Sequence, residues 1–275
     1  MKTIIGLIVL WPLVGFLLNG LGRNIWSKKT VATQATGYIF ASFVFSLIAF
    51  WNVQEQGAIT VHYFDFINTS TVKIPFDFRV DALSSLFLLV ITGVGTLIHL
   101  YSSAYMHEET APHYARYFAY LNLFIFSMLL LVLGDNYVIM FIGWEGVGLC
   151  SYLLIGYWFT NTTYNNAAKK AFIMNRIGDL GFLVGIFIIG ALFNTLDFAT
   201  LKATILAGNN LNAYWIGAAA LALFIINFVI KKLTHKYKLL GDLLIDKPEI
   251  LIHNGKLDFK TLSKLDISND ELKEA

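Results

Sequence analysis

Charge is scarce in this chain. Only 14% of its 275 residues are Asp, Glu, Lys or Arg, while 57% are hydrophobic; soluble domains carry about a quarter charged. That composition excludes a soluble core with one anchor and describes a polytopic membrane protein. The net charge is +2, so bulk charge gives no reason to expect a nucleic-acid partner. Cysteine is nearly absent. A single Cys150 rules out an internal disulfide and a cysteine-based metal site, and its apolar surroundings suit a small buried residue. The six histidines show no H-E-x-x-H spacing. His107, Glu108, Glu109 and His113 sit together in a loop, but at the wrong spacing for metal ligation. No G-x-G-x-x-G fingerprint is present. No cofactor and no metal are expected.

What is abundant is long apolar runs. Seven segments approach the roughly 20 residues needed to cross hydrocarbon: 3–21, 32–51, 81–103, 116–134, 136–158, 171–193 and 212–230. The first is too long for a signal-peptide core and lacks a small-x-small cleavage site, so it reads as a span.

Basic residues set the orientation. Arg23, Lys28, Lys29, Arg116, Lys169, Lys170, Arg176, Lys231, Lys232, Lys236 and Lys238 fall on one side if the spans alternate. Lys2, Lys73, Arg79 and Lys202 fall on the other. The amino terminus is then outside and the carboxyl terminus cytoplasmic, in a multi-pass membrane protein.

The outer loop between the second and third spans alternates β-branched and aromatic residues over 58–67 and again over 72–78, with a turn at Asn68-Thr69-Ser70. This pattern predicts a β-hairpin on the periplasmic face, with Pro75 at an edge. From about 239 the composition changes. Residues 248–256 read as a strand and a turn, and Ser268-Asn269-Asp270-Glu271 fits a capping box. The fold class is therefore all-α polytopic membrane protein with a hairpin outside and a small cytoplasmic α/β tail.

One acid stands out. Glu145 lies in the middle of 134–156, a run whose other charge is Asp135 near its start. A charged Asp at the centre of a spanning helix costs about 2.5 to 3.5 kcal/mol on insertion scales, so such residues usually face a protein interior or a water path. Burial raises a carboxyl pKa and a nearby cation lowers it; a group held between the two can load and release a proton. The competing reading is a structural acid paired to a neighbouring helix. Gly143, Gly146, Gly148 and Gly156 around it allow close helix approach or room for water. The sixth segment offers charge partners: Lys169, Lys170, Arg176 and Asp179, with Arg176 and Asp179 at i,i+3. Lys169 and Lys170 also fit simple interfacial anchoring. Gly178, Gly181 and Gly185 form a stripe suited to tight packing. His99 reads as an interfacial histidine near the end of its span, Asp81 as a helix cap, and Asp135 as a turn residue.

The run Trp144-Glu145-Gly146-Val147-Gly148-Leu149-Cys150-Ser151-Tyr152-Leu153-Leu154-Ile155-Gly156 closely resembles the proton-translocating subunit L (chain 5) of respiratory complex I, NADH:quinone oxidoreductase. Val80-Asp81-Ala82-Leu83-Ser84, Tyr101-Ser102-Ser103-Ala104-Tyr105-Met106 and the stretch from Ala167 through Lys169, Lys170 and Arg176 to Asp179 carry the same resemblance, which extends over about residues 1–224. It implies a membrane-arm subunit taking part in redox-coupled proton translocation, with Glu145 as the half-channel glutamate and Asp179 as the acid that modulates it. It also implies no redox centre in this chain, and other membrane-arm subunits, lipid and protons as partners. Mrp-type cation/proton antiporter subunits share the fold and give the first alternative.

The resemblance also implies a lysine in the seventh helix that pairs with the glutamate. Here 212–230 carries no charged residue, and the family pattern stops after Phe224. This chain alone is therefore expected to be incomplete as a pump. The tail from Asp246 to Asp258 resembles the cytoplasmic domain of YetF-like membrane proteins. The expected division is 1–230, antiporter-like and membrane-spanning, and 239–275, an incomplete YetF-like tail. A non-transporting membrane adaptor displaying that tail is the second alternative.

Overall fold

The computed structural model describes residues 1–69, 73–207, 252–253 and 256–257. Among them, six helices are long and apolar enough to cross a membrane: α1 (Lys2–Leu21), α2 (Lys28–Gln56), α3 (Ala82–Tyr105), α4 (Ala111–Leu133), α5 (Tyr137–Ile155) and α6 (Thr162–Phe193). They coincide with the first six expected segments. The seventh, 212–230, lies outside the described residues. Helices α2 and α6 begin ahead of their apolar runs because capping, not apolarity, sets a helix start. Ser27 Oγ accepts from the Thr30 N–H at 3.3 Å, and Asn161 Oδ1 from the Thr163 N–H at 3.0 Å. A short helix, α7 (Phe198–Leu206), follows α6 and has no counterpart in the sequence reading. Its signal is local: Asp197 caps it by accepting from the Thr200 N–H at 2.7 Å.

The hairpin is present. Strand β1 (Ile59–Asn68) pairs antiparallel with β2 (Lys73–Val80), and two register shifts bend it. Stacked Phe64 and Phe76, 4.8 Å apart, hold one face. Tyr63 donates its hydroxyl to the Lys2 carbonyl at 2.8 Å, which ties the hairpin to the start of α1. Burial pushes that hydroxyl's pKa up to about 12, so it stays a donor at physiological pH. Asp81 caps α3 within a full capping box, its Oδ1 2.8 Å from the Ser84 N–H. That bond holds the Asp81 carboxyl below its ordinary pKa.

Helix α4 is the most enclosed of the six. Its Ile125, Leu129, Leu130 and Leu133 meet Ile5, Ile8 and Val9 of α1, Ile39 of α2, Leu88 of α3 and Ile139 of α5 in one core. Ser42 and His99 show how buried polar groups in this region bond within the protein, as a bilayer favours. Ser42 donates to the Ile8 carbonyl at 2.9 Å. His99 corrects the sequence reading: it is fully buried, not interfacial. Its Nδ1 lies 2.7 Å from the Gly95 carbonyl and its Nε2 3.3 Å from Asn122 Nδ2. An N–H at Nδ1 and an acceptor at Nε2 satisfy both contacts, which is the neutral ring. A histidine can sit inside because a polar residue of α4 meets it, a fact invisible in its own helix.

The chain separates into two compact units, Met1–Leu223 and Phe224–Ala275. In the second, β3 (Ile252–His253) pairs antiparallel with β4 (Lys256–Leu257). The capping box at Ser268 and Glu271 lies outside the described residues.

Candidate functional site

Helix α5 presents two different faces, and small residues decide which is which. A Cβ on Gly143 would stand 2.3 Å from the Leu131 nitrogen, and one on Gly146 would stand 2.5 Å from Ser127 Oγ. Both glycines therefore serve close approach to α4 and leave no space for water there. Gly148 faces open space, and Gly156 faces Ala168 of α6. With α4 occupying the glycine face, Trp144 and Glu145 turn toward α6. On α6, Gly181 and Gly185 are buried, but Gly178 has nothing within 4 Å, so the expected packing stripe is only partly used.

The charged residues meet on that second face. Arg176 of α6 pairs directly with Glu145 of α5. Its Nη1 is also 3.9 Å from Asp179 Oδ2, the i,i+3 pair anticipated from sequence. One guanidinium thus serves two carboxylates in the middle of two spanning helices. Asp179 is the deepest of the three, its side chain 9% exposed against 22% for Glu145 and 42% for Arg176. Trp144 completes the cluster by donating its indole N–H to Asp179 Oδ1 at 2.6 Å. Phe172 lies beneath the guanidinium, 4.8 Å from its carbon to the ring centroid, a cation–π contact that fixes the arginine without adding charge.

Trp144 was not singled out in the sequence. Its signal was available, since an indole N–H in the middle of an apolar span needs an acceptor. Lys169 has no contact to this constellation among those described. Lys169 is exposed and stands two turns before Arg176, roughly 10 Å along the axis. Lys170 makes an interaction of its own.

Arginine stays charged under protein conditions, so proton exchange at this cluster falls to the carboxylates. With both acids ionised, three groups sum to one negative charge. A proton on Glu145 would release Arg176 toward Asp179, and loss of that proton would draw it back. The geometry therefore permits a switch between two ion pairs sharing one cation.

Known proteins are similar to this chain in sequence and fold. Residues 66–118 match the family model described as NADH-ubiquinone oxidoreductase (complex I), chain 5 N-terminus, and residues 134–235 match NADH:quinone oxidoreductase/Mrp antiporter, TM. The second match runs past Phe224, where the sequence reading ended the resemblance. NADH-quinone oxidoreductase subunit L of Pseudomonas aeruginosa is 44% identical over 206 residues, covering 72% of this chain and 33% of that protein. NADH-ubiquinone oxidoreductase chain 5 of Marchantia polymorpha is 42% identical over 198 residues, covering 72% of this chain and 29% of that one. The chain thus spans about a third of the length of the curated relatives it matches. Among solved structures, the fold is shared with a chain of an archaeal membrane-bound sulfane sulfur reductase (TM-score 0.67, 18% identity, 80% of this chain and 43% of that one). It is shared as well with a chain of the Mrp complex of a Dietzia species (TM-score 0.64, 19% identity, 81% and 22%). Over about 72% of its residues, this multi-pass membrane protein is 40–44% identical to NADH-quinone oxidoreductase subunit L and chain 5 proteins.

Proposed function

We propose that the chain is part of a membrane-arm subunit of a bacterial NADH:quinone oxidoreductase, where it takes part in redox-coupled proton translocation. The observation that carries this reading is the Glu145–Arg176 ion pair in the middle of two spanning helices. Charges at that depth are costly and mark ion paths. Glu145 is the proton-exchanging group. Arg176 is its charge partner, and Asp179, held by Trp144, is the acid that competes for Arg176. Lys169 and Lys170 anchor the start of α6 at the cytoplasmic interface and supply positive potential at the entry side. The chain binds no cofactor and carries no redox centre of its own. Its coupling comes from partner subunits of the membrane arm, and its surroundings are lipid and protons, with no nucleic acid.

The orientation places the amino terminus and the hairpin outside, and the carboxyl terminus in the cytoplasm. The segment after 239 is a cytoplasmic YetF-like module following the 1–230 membrane domain. A seventh-helix lysine is absent from 212–230. Arg176 is an intramembrane cation paired with Glu145.

The second reading is a cation/proton antiporter subunit, favoured by the family model that names both classes over 134–235. Affinity purification from native membranes tests the first reading. A complex I part travels with other membrane-arm subunits, and an adaptor carrying a YetF-like domain travels without them. Sodium-dependent proton exchange in vesicles would favour the antiporter.

A further inference from the structure

A second acid is buried at the far end of α5 from the Glu145 pair. The α4–α5 turn, residues 134–136, is stitched between two extended segments. Asp135 donates its N–H to the Asp77 carbonyl at 3.2 Å, and its carbonyl accepts from the Phe198 N–H at 3.4 Å. Asn136 donates its Nδ2 to the Pro75 carbonyl at 2.8 Å. Held from both sides, the Asp135 side chain is 7% exposed, and its Oδ1 is buried without a hydrogen-bond partner. Arg79 Nη1 is 3.9 Å away, beyond hydrogen-bond reach. The carboxyl borders an open groove of about 460 Å³ that Arg79, Asp81 and Lys202 also line.

We infer that Asp135 is a second proton-binding site, which exchanges protons with water in this groove and lies apart from the Glu145 pair. Ten positions of chain, most of them in α5, separate the two acids, roughly 15 Å at helical rise.

The groups facing Asp135 come from every element around it. Strand β2 supplies Asp77 and Arg79, with His62 of β1 held on Asp77 at 2.6 Å. The α3 cap supplies Asp81, the α7 cap supplies Asp197, and α7 itself supplies Lys202. Burial is the largest effect, Asp197 adds to it and Arg79 opposes it; together they push the Asp135 carboxyl up to about 6. Protonation removes a charge that burial and three neighbouring acids disfavour.

The test is an infrared pH titration of the protonated-carboxyl band on the full chain in lipid nanodiscs. In the unmodified chain, a band with a midpoint near pH 6 is expected, and Asp135→Asn should abolish it. Arg79→Gln should raise the midpoint, and Asp197→Asn should lower it. These two variants keep the test decisive even if Asp135→Asn disturbs the turn. A band that survives Asp135→Asn overturns the site. So does a midpoint that ignores both neighbours, or one that moves with sodium at constant ionic strength, which would make the ligand a metal cation. None of these outcomes depends on whether Glu145 moves protons.

Discussion

Trp144 donates its indole N–H to Asp179 Oδ1 at 2.6 Å, and the next residue on the same helix, Glu145, pairs with Arg176 three positions before Asp179. Helix α5 thus grips α6 at two adjacent points, one neutral donor on an acid and one acid on a base. The consequence is a single cation whose two acidic neighbours are both positioned from α5.

Removing the neutral grip should weaken the pairing without changing charge. Trp144→Phe keeps an aromatic ring but loses the N–H and part of the indole surface, so a charged acceptor loses a hydrogen bond worth about 1.5–3 kcal/mol. A lower thermal midpoint is expected in detergent, at unchanged net charge. Trp144→Phe with unchanged stability would show that Asp179 finds another donor.

Arg176→Gln should cost more than Arg176→Lys, because Gln leaves two carboxylates facing each other. The pair is neither fully exposed nor fully buried, so a loss of about 1–3 kcal/mol is expected, between the values for the two extremes. Glu145→Gln in the same chain should recover part of that loss. A double-mutant cycle on unfolding measures the coupling, and strict additivity would mean that the two side chains do not interact.

The glycines of α5 should differ sharply in what they tolerate. Gly143→Ala drives a methyl into the Leu131 backbone and should loosen α4 from α5 by about 1–3 kcal/mol or more. Gly148→Ala meets nothing within 4 Å and should be neutral or gain about 0.5–1 kcal/mol in helix propensity. Thermal melts of the two variants, side by side, give the comparison.

Asp135 makes stability pH-dependent with a definite sign. Its folded pKa of about 6 lies above the ordinary 3.8, so between those values the folded state binds more protons than the unfolded one. Stability therefore falls as pH rises through that window. Asp135→Asn should raise the thermal midpoint at pH 8, and the gain should shrink toward pH 4, where the native carboxyl is protonated. An equal gain at both pH values would contradict this.

Six spanning helices and the hairpin were legible because apolar length and period-2 alternation act along a single segment. Glu145, Arg176 and Asp179 were legible as candidates because charge inside an apolar span is conspicuous. That the sixth segment supplies charge partners for Glu145 was legible too, but which of them meets it was not, since that depends on how Gly143 and Gly146 turn α5 against α4. His99 reads as interfacial until Asn122 of α4 is seen beside it. Asp135 reads as an ordinary turn residue until β2 and the segment before α7 close around it. Each of these depends on a partner distant in sequence.

The most direct measurement is the proton yield per electron in inside-out vesicles carrying the full chain in its native complex, with NADH as donor. Glu145→Gln should lower the yield while NADH oxidation continues, and Glu145→Asp should restore part of it. An unchanged yield in Glu145→Gln, with the complex assembled and turning over, would contradict a proton-exchanging role for the Glu145–Arg176 pair.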